Sequence, residues 1–498
     1  MRSQPRSQPR HYIVRVLIYT HRWLGIVGSL LFVAWFVSGI VMMYAQMPAL
    51  TTDERMERVA ALDLGTARVE PAEAVDGLPQ FPQSIRIGML DGRPVYRLLV
   101  RGRWTTVFAD DGTALPPLSR DEAVSAARRF APEHATTLRY DQRLDDADQW
   151  TFSVRGLMPM HRIALGDPAG TDVYVSDQTG EVVLDASASE RRWGYAGAVV
   201  HWLYFTPFRR RATIWNETII WLSITGCVLS LTGLAWGVWR YSWRRRYRLK
   251  RERSHTPYAG LMRWHHYAGL AFGLFTFTWI FSGLLSMDPW AWSPGTAPTR
   301  AQRDAVAGGP FTPGALTLAR ARSALAAFGS RPPKEVELVQ FQGEAYLRAG
   351  NNVTGIVLAS ASAPHVADAL DRRTVEAAAR AAMPGVRVDD AVWLDRYDAY
   401  YYHRDGALAL PVLRVRYADP VATWLYLDPR QGAIVRKEER LSRLNRWLYH
   451  GFHSLDFPFL YYRRPLWDGV VIVLSLGGLA LSLTSAQAAW RRLRRHVG

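Results

Sequence analysis

Four stretches of more than 20 residues contain no Asp, Glu, Lys or Arg: Trp23–Met47, Thr218–Trp239, Tyr267–Met287 and Gly469–Trp490. At 1.5 Å of rise per residue, about 20 helical residues cross a hydrocarbon core of about 30 Å. None of the four contains Pro. A buried core helix of a soluble protein is seldom this long and uniformly apolar. The first stretch does not read as a cleaved signal peptide. Its apolar run is too long, it has no small-residue cleavage site, and three more stretches follow. The expected fold is a membrane α-helical bundle of four spans, with two further domains in the segments between them.

Charge placement orients the spans. The N-terminal 22 residues carry five Arg, among them Arg15 and Arg22; Arg240–Arg263 carries nine Lys/Arg against the single acid Glu252; Arg491, Arg492, Arg494 and Arg495 close the chain. These three short segments hold the whole formal net charge of +17. The positive-inside rule places them in the cytoplasm and residues 48–217 and 288–468 outside it. Orientation and anionic lipid headgroups account for this basicity, so nucleic acid is not an expected partner and the lipid membrane is. The single Cys227 falls inside the second stretch. The exported segments therefore have no cysteine, as suits an oxidising periplasm. One cysteine also excludes a disulfide framework, a four-thiolate metal site and covalent haem attachment through C-x-x-C-H.

The expected order is a cytoplasmic N-terminus with helix 1 (1–47), an exported domain with its pre-helix segment (48–217) and helix 2 (218–239). A basic cytoplasmic loop (240–266) and helix 3 (267–287) follow. A second exported domain (288–468), helix 4 (469–490) and a basic tail (491–498) complete the chain.

The two halves share a register. At an offset of 252, "LSRDEAVSAARRFAP" (118–132) lies over "LDRRTVEAAARAAMP" (370–384), "DVYVSDQTGEVV" (172–183) over "WLYLDPRQGAIV" (424–435), and Trp215 over Trp467. At an offset of 244, "HRWLG" (21–25) lies over "HHYAG" (265–269), and Ser38-Gly39 over Ser282-Gly283. This pattern predicts a parallel two-fold repeat of helix, exported domain and helix. Each exported domain reads as α+β. β-rich runs are punctuated by Asp91-Gly92 and Asp111-Gly112 turns, and helices are expected over Arg120–Phe130, capped by Ser119, and over Thr374–Ala382.

The repeat also sorts the histidines. His21 maps on His265, both at the cytoplasmic start of a span; His201 maps on His453, both just before the second span of their repeat. Four helices thus offer one imidazole each, two near either face. A haem iron in an electron carrier takes two axial imidazoles from opposite sides, and helical bundles build such sites from facing helices. Two b-type haems at different depths would form an electron path across the bilayer. The plainer reading is four interface histidines satisfied by water or headgroups. His266 and His450 are neighbours that stand as alternatives to His265 and His453. Met158, Met160 and His161 have a soft-metal look, but their counterparts Leu410, Val412 and Leu413 are core residues, and core packing is expected. No G-x-G-x-x-G after a strand, P-loop or H-E-x-x-H occurs, so no flavin or nucleotide domain is expected.

The helix starts "HRWLGIVGSLLFVAWFVSG" and "HHYAGLAFGLFTFTWIFSG", the later His201 and His453 and the hairpin "VYVSDQTGEVV" resemble the PepSY-associated transmembrane family. The resemblance covers nearly the whole chain, although the second copy has Gln-Gly-Ala where the first has Thr-Gly-Glu. It implies two PepSY-like periplasmic α+β domains on a bacterial inner-membrane bundle. Some members of that family are inner-membrane di-haem ferric-siderophore reductases. By resemblance, His21 and His265 would hold the cytoplasmic-side haem, and His201 and His453 the periplasmic-side haem. The acceptor would be a ferric siderophore, and the donor a cytoplasmic reductase or membrane quinol. PepSY domains also serve as regulatory modules, so a non-enzymatic membrane sensor is the alternative. A transporter built on the parallel repeat is a third reading, but the spans lack a midplane charge or Pro-broken helix to support it.

Overall fold

The apolar stretches form four long helices: α1 (Gln8–Met42), α2 (Ala212–Arg240), α3 (Leu261–Ser286) and α4 (Leu466–Val497). The computed structural model describes residues 8–497 apart from 77, 245, 250–252, 311, 351–353 and 405. Of the basic segments, Arg2, Arg6, Arg245, Lys250, Arg251 and Glu252 lie outside the described residues. Each long helix has the length and apolarity to cross a membrane. All run beyond the uncharged stretches except at the end of α1, which stops at Met42, well before Met47, and at the end of α3, which stops at Ser286, one residue before Met287.

The chain forms two compact units. The first comprises residues 1–47, 192–293 and 443–498, and holds the four long helices. Here α1 and α3 each pack against both α2 and α4. Phe32 of α1, Cys227 and Leu229 of α2 and Ile280 of α3 form a buried core. Glycines set the helix spacing. A Cβ on Gly478 of α4 would come within 2.2 Å of the Phe36 ring, and one on Gly477 within 2.3 Å of the Phe272 ring. These two contacts leave no room for a larger residue at those two positions of α4, where the helices approach closely. The segments just before α2 and α4 belong to this unit rather than to the exported segments.

The second unit comprises residues 48–191 and 294–442. Most of residues 48–217 and of 288–468 falls within it. Strands Ser84–Leu90, Arg93–Val100 and Arg103–Phe108 of the first and Val336–Phe341, Glu344–Ala349 and Gly355–Leu358 of the second make one six-stranded antiparallel sheet. The seam is the pair Ser84–Leu90 and Val336–Phe341, with Arg86 opposite Glu337. The alternation that buries Ile85, Ile87, Val336 and Leu338 on one face fixes this register. Each segment adds its own four-stranded antiparallel sheet.

One helix covers each smaller sheet. Arg120–Phe130 begins in a capping box in which Ser119 and Glu122 bond each other's backbone N–H, as the sequence leads one to expect. Its Ala123, Ala126 and Ala127 face Ile163, Val173 and Val175. In the other half, Arg372–Ala381 is capped by Asp371. There Val375, Ala378 and Ala379 face Val415, Leu425 and Leu427. Each of these positions lies 252 residues beyond its counterpart. Asp91 and Gly92 both take positive φ, 55° and 76°, the conformation of a tight hairpin turn.

Glu181, from the Thr-Gly-Glu hairpin, bonds Arg55 at 3.1 Å and Arg97 at 2.8 Å, and Glu335 from the second segment bonds Arg55 at 2.8 Å. Arg97 is only 3 % exposed, and its charge is compensated by Glu181 and, at 3.6 Å, by Glu335, which both also serve Arg55. His161 sits in the core as expected, but in a polar setting. One ring nitrogen meets Tyr140 Oη at 3.1 Å, the other Asp177 at 2.8 Å.

Candidate functional site

Two histidine pairs form inside the helical unit. His21 on α1 and His265 on α3 face each other with ring centroids 6.2 Å apart and ring planes at 46°. His201 and His453, on the turns before α2 and α4, also face each other at 6.2 Å, with planes at 74°. The pairs lie at opposite ends of the bundle. A Cβ on Gly39 of α1 would touch the His201 ring, and Gly39 lies 18 residues past His21, roughly 27 Å along the helix axis.

All four imidazoles are held by the same nitrogen. His21 Nδ1 donates to the carbonyl oxygen of Leu229 at 3.1 Å. His265 Nδ1 meets Thr484 Oγ1 at 3.1 Å. That hydroxyl gives its own proton to the Leu481 carbonyl, so it accepts from the ring. His201 Nδ1 donates to Ser38 Oγ at 3.1 Å, and Ser38 in turn donates to the Ala34 carbonyl. His453 Nδ1 donates to Ser282 Oγ at 3.1 Å and lies 3.2 Å from the Trp279 carbonyl oxygen. A neutral imidazole with its proton on Nδ1 carries a lone pair on Nε2. Among the described residues none of these four Nε2 atoms has a hydrogen-bond partner. This is the tautomer and orientation that a metal-ligating histidine takes from its surroundings.

The separation suits a shared metal. Two imidazoles bonded at about 2 Å to one ion between them place their ring centroids on the order of 6 Å apart. Among the described residues no group of three or more His, Cys, Asp or Glu is placed to hold a metal ion. Each pair therefore offers two nitrogens, with no third protein ligand beside them among the described residues. A cavity of about 1090 Å³ surrounds His21 and His265, slightly above the 300–1,000 Å³ usual for cofactor sites.

The turns that carry His201 and His453 are built alike. A π-helical turn precedes each, Tyr195–Val199 and Arg446–Gly451. Leu203 and Leu455, each two residues beyond its histidine, both have φ 52°. A leucine there is strained and persists only where its surroundings impose it. The brace is an indole at the head of the following long helix. Trp215 Nε1 donates to the Trp202 carbonyl at 2.9 Å, and Trp467 Nε1 to the Ser454 carbonyl at 2.9 Å.

The two alternative histidines differ from these four. His266 uses both nitrogens, with Nδ1 2.6 Å from Thr256 Oγ1 and Nε2 2.8 Å from the Gly237 carbonyl oxygen. It fastens the basic loop to α2 and α3 and has no nitrogen to spare. His450 packs on Tyr449, with centroids 4.5 Å apart, whereas the ring facing His201 is that of His453. Sequence reasoning missed the anchoring groups: Ser38, Ser282, Thr484 and the Leu229 carbonyl. The matched Ser-Gly pairs and the "SLT" at 230–232 and 482–484 were the signal for them. Comparison with known proteins finds no family model and no curated protein that matches this chain.

Proposed function

We propose that this chain is a bacterial inner-membrane electron carrier holding two b-type haems, one between His21 and His265 and one between His201 and His453. The carrying observation is the pair of matched 6.2 Å imidazole separations with every Nδ1 engaged. Bound haem would supply reversible one-electron exchange. The chain's own contribution is to fix four neutral imidazoles, two for each haem, which would leave oxygen no open ligand position, and to pack Phe36 and Phe272 against α4 between the two ends. With the basic segments in the cytoplasm, the first pair lies on that side and the second faces the periplasm.

The recurrence of core residues, π-helical turns and strained leucines at an offset of 252 supports descent from one duplicated unit. The donor is a cytoplasmic reductase or membrane quinol. The acceptor is periplasmic, and the resemblance to the PepSY-associated transmembrane family makes it a ferric siderophore. One electron converts Fe(III) to Fe(II), which hard oxygen donors hold more weakly, so the iron is released.

The spectrum of the detergent-purified protein tests this. Sharp Soret and α bands that shift with dithionite are expected, with two haems per chain by pyridine haemochrome assay. His21→Ala and His201→Ala should each remove one. A colourless, fully folded preparation overturns the proposal and leaves the regulatory module as the reading.

A further inference from the structure

The cavity around His21 and His265 has an apolar interior and one basic rim. Gly25, Gly233, Gly237, Gly269 and Gly273 line its walls, so the helices present bare backbone there. At the rim stand Arg22 of α1 and Arg491, Arg492 and Arg495 of α4. Membrane orientation does not account for this placement. Positive charge beside a span satisfies that rule whichever way the side chain turns. Yet three of the four tail arginines line the cavity, while the Arg494 guanidinium lies 5.8 Å from the centre of the Trp490 ring. The i, i+1, i+4 spacing of Arg491, Arg492 and Arg495 puts them on one side of the helix. Among the described residues none of the four rim guanidiniums has a carboxylate partner.

We propose that this arginine rim binds the carboxylates on the edge of the macrocycle that His21 and His265 would hold; the inference rests on the haem reading above. A slot with two facing imidazoles, small-residue walls and guanidiniums at one mouth is complementary to a flat apolar disc with anionic groups on one edge. Guanidinium is the donor of choice for carboxylate, since its planar fork makes two parallel hydrogen bonds. The same chemistry would also take the phosphate of a lipid headgroup, so the test must separate the two anions.

The test uses the full-length protein carrying His201→Ala, which isolates the first pair, prepared without haem. It is titrated by Soret absorbance with iron protoporphyrin IX and with its dimethyl ester, which lacks the carboxylates. The diacid should bind about 10- to 100-fold more tightly, with an advantage that shrinks as salt screens it. The combined variant Arg491→Gln, Arg492→Gln, Arg495→Gln should lose that advantage while binding the ester unchanged. Lysine at the three positions should restore part of it, and Arg494→Gln should change nothing. Equal affinity for diacid and ester in the wild-type rim overturns the inference and spares the haem reading. So does a rim variant that loses only its preference for phosphatidylglycerol nanodiscs, which would give the arginines to lipid. No Soret shift with either macrocycle overturns both.

Discussion

The two ends of the helical bundle present the same pair of rings at the same separation, yet hold them differently. At one end the histidines stand on the long helices themselves, and one Nδ1 bonds a backbone carbonyl, that of Leu229. At the other they stand on short segments that follow π-helical turns, and both Nδ1 atoms bond serine hydroxyls on α1 and α3. At the first end one of the two anchors is a backbone carbonyl that substitution cannot remove, the other being the Thr484 hydroxyl; at the second both serine anchors can be removed, with the Trp279 carbonyl oxygen also near His453. A common geometry thus comes with unequal tolerance of change.

The sharpest way to break that comparison is steric. A Cβ on Gly233 would sit 2.5 Å from His21 Cε1, whereas one on Gly283 would sit 3.5 Å from His453 Cε1. Gly233→Ala should therefore displace His21 and remove one haem of two, while Gly283→Ala keeps both, as read by haemochrome stoichiometry. Loss at both ends, or at neither, would contradict the packing argument.

The hydroxyls come next. Ser38→Ala and Ser282→Ala should each weaken haem binding at the His201–His453 end by about tenfold or more, the usual cost of losing a hydrogen bond behind a ligating histidine. The His21–His265 end should be unaffected, so the two sites should separate in a reductive titration. Unchanged binding at both ends would mean that the turns and indoles alone orient the rings.

His266 sharpens the contrast between a ligand and a fastener one residue apart. His266→Ala removes two buried hydrogen bonds and should cost about 1–3 kcal/mol of stability. Both haems should remain. A colour change without a drop in thermal midpoint would move the ligand role from His265 to His266.

The smallest effect belongs to the strand-rich unit and serves as a control on both ends. Burial, with Glu190 and Glu54 nearby, raises the Asp185 carboxyl to about 6. The folded chain then holds a proton that the unfolded chain releases near pH 4, so this group's contribution to stability falls as pH rises from about 4 to 6. Asp185→Asn should stabilise the protein by about 1 kcal/mol at pH 8, since partial exposure discounts the full shift. It should do little at pH 4 and leave both haem spectra unchanged. Thermal melts at the two pH values check it.

Much of this was legible in the sequence because it depends on spacing. Long uncharged runs set the four helices, and positions repeated at offsets of 244 and 252 singled out His21 with His265 and His201 with His453. Ser119 and the Asp91-Gly92 turn announce themselves by local chemistry. What stayed hidden depends on where side chains turn after helices pack. No periodicity shows that His266 reaches back to Gly237, that Thr484 stands behind His265, or that Arg491 faces a cavity while Arg494 does not. The seam pairing Ile85 with Leu338 was equally illegible, because two edge strands distant in sequence advertise no partner. That seam puts both exported segments in one unit.

The close contacts of Phe36 on Gly478 and Phe272 on Gly477 carry a consequence for energetics. With the two ring pairs roughly 27 Å apart and the Phe36 and Phe272 rings packed between the helices, an electron passing from one level to the other would carry its charge across most of the hydrocarbon core. Each transfer would then be electrogenic. A cell interior held negative would drive that electron outward, by about 2.3 kcal/mol for every 100 mV it traverses, so the reducing power delivered at the outer face would rise with membrane energisation.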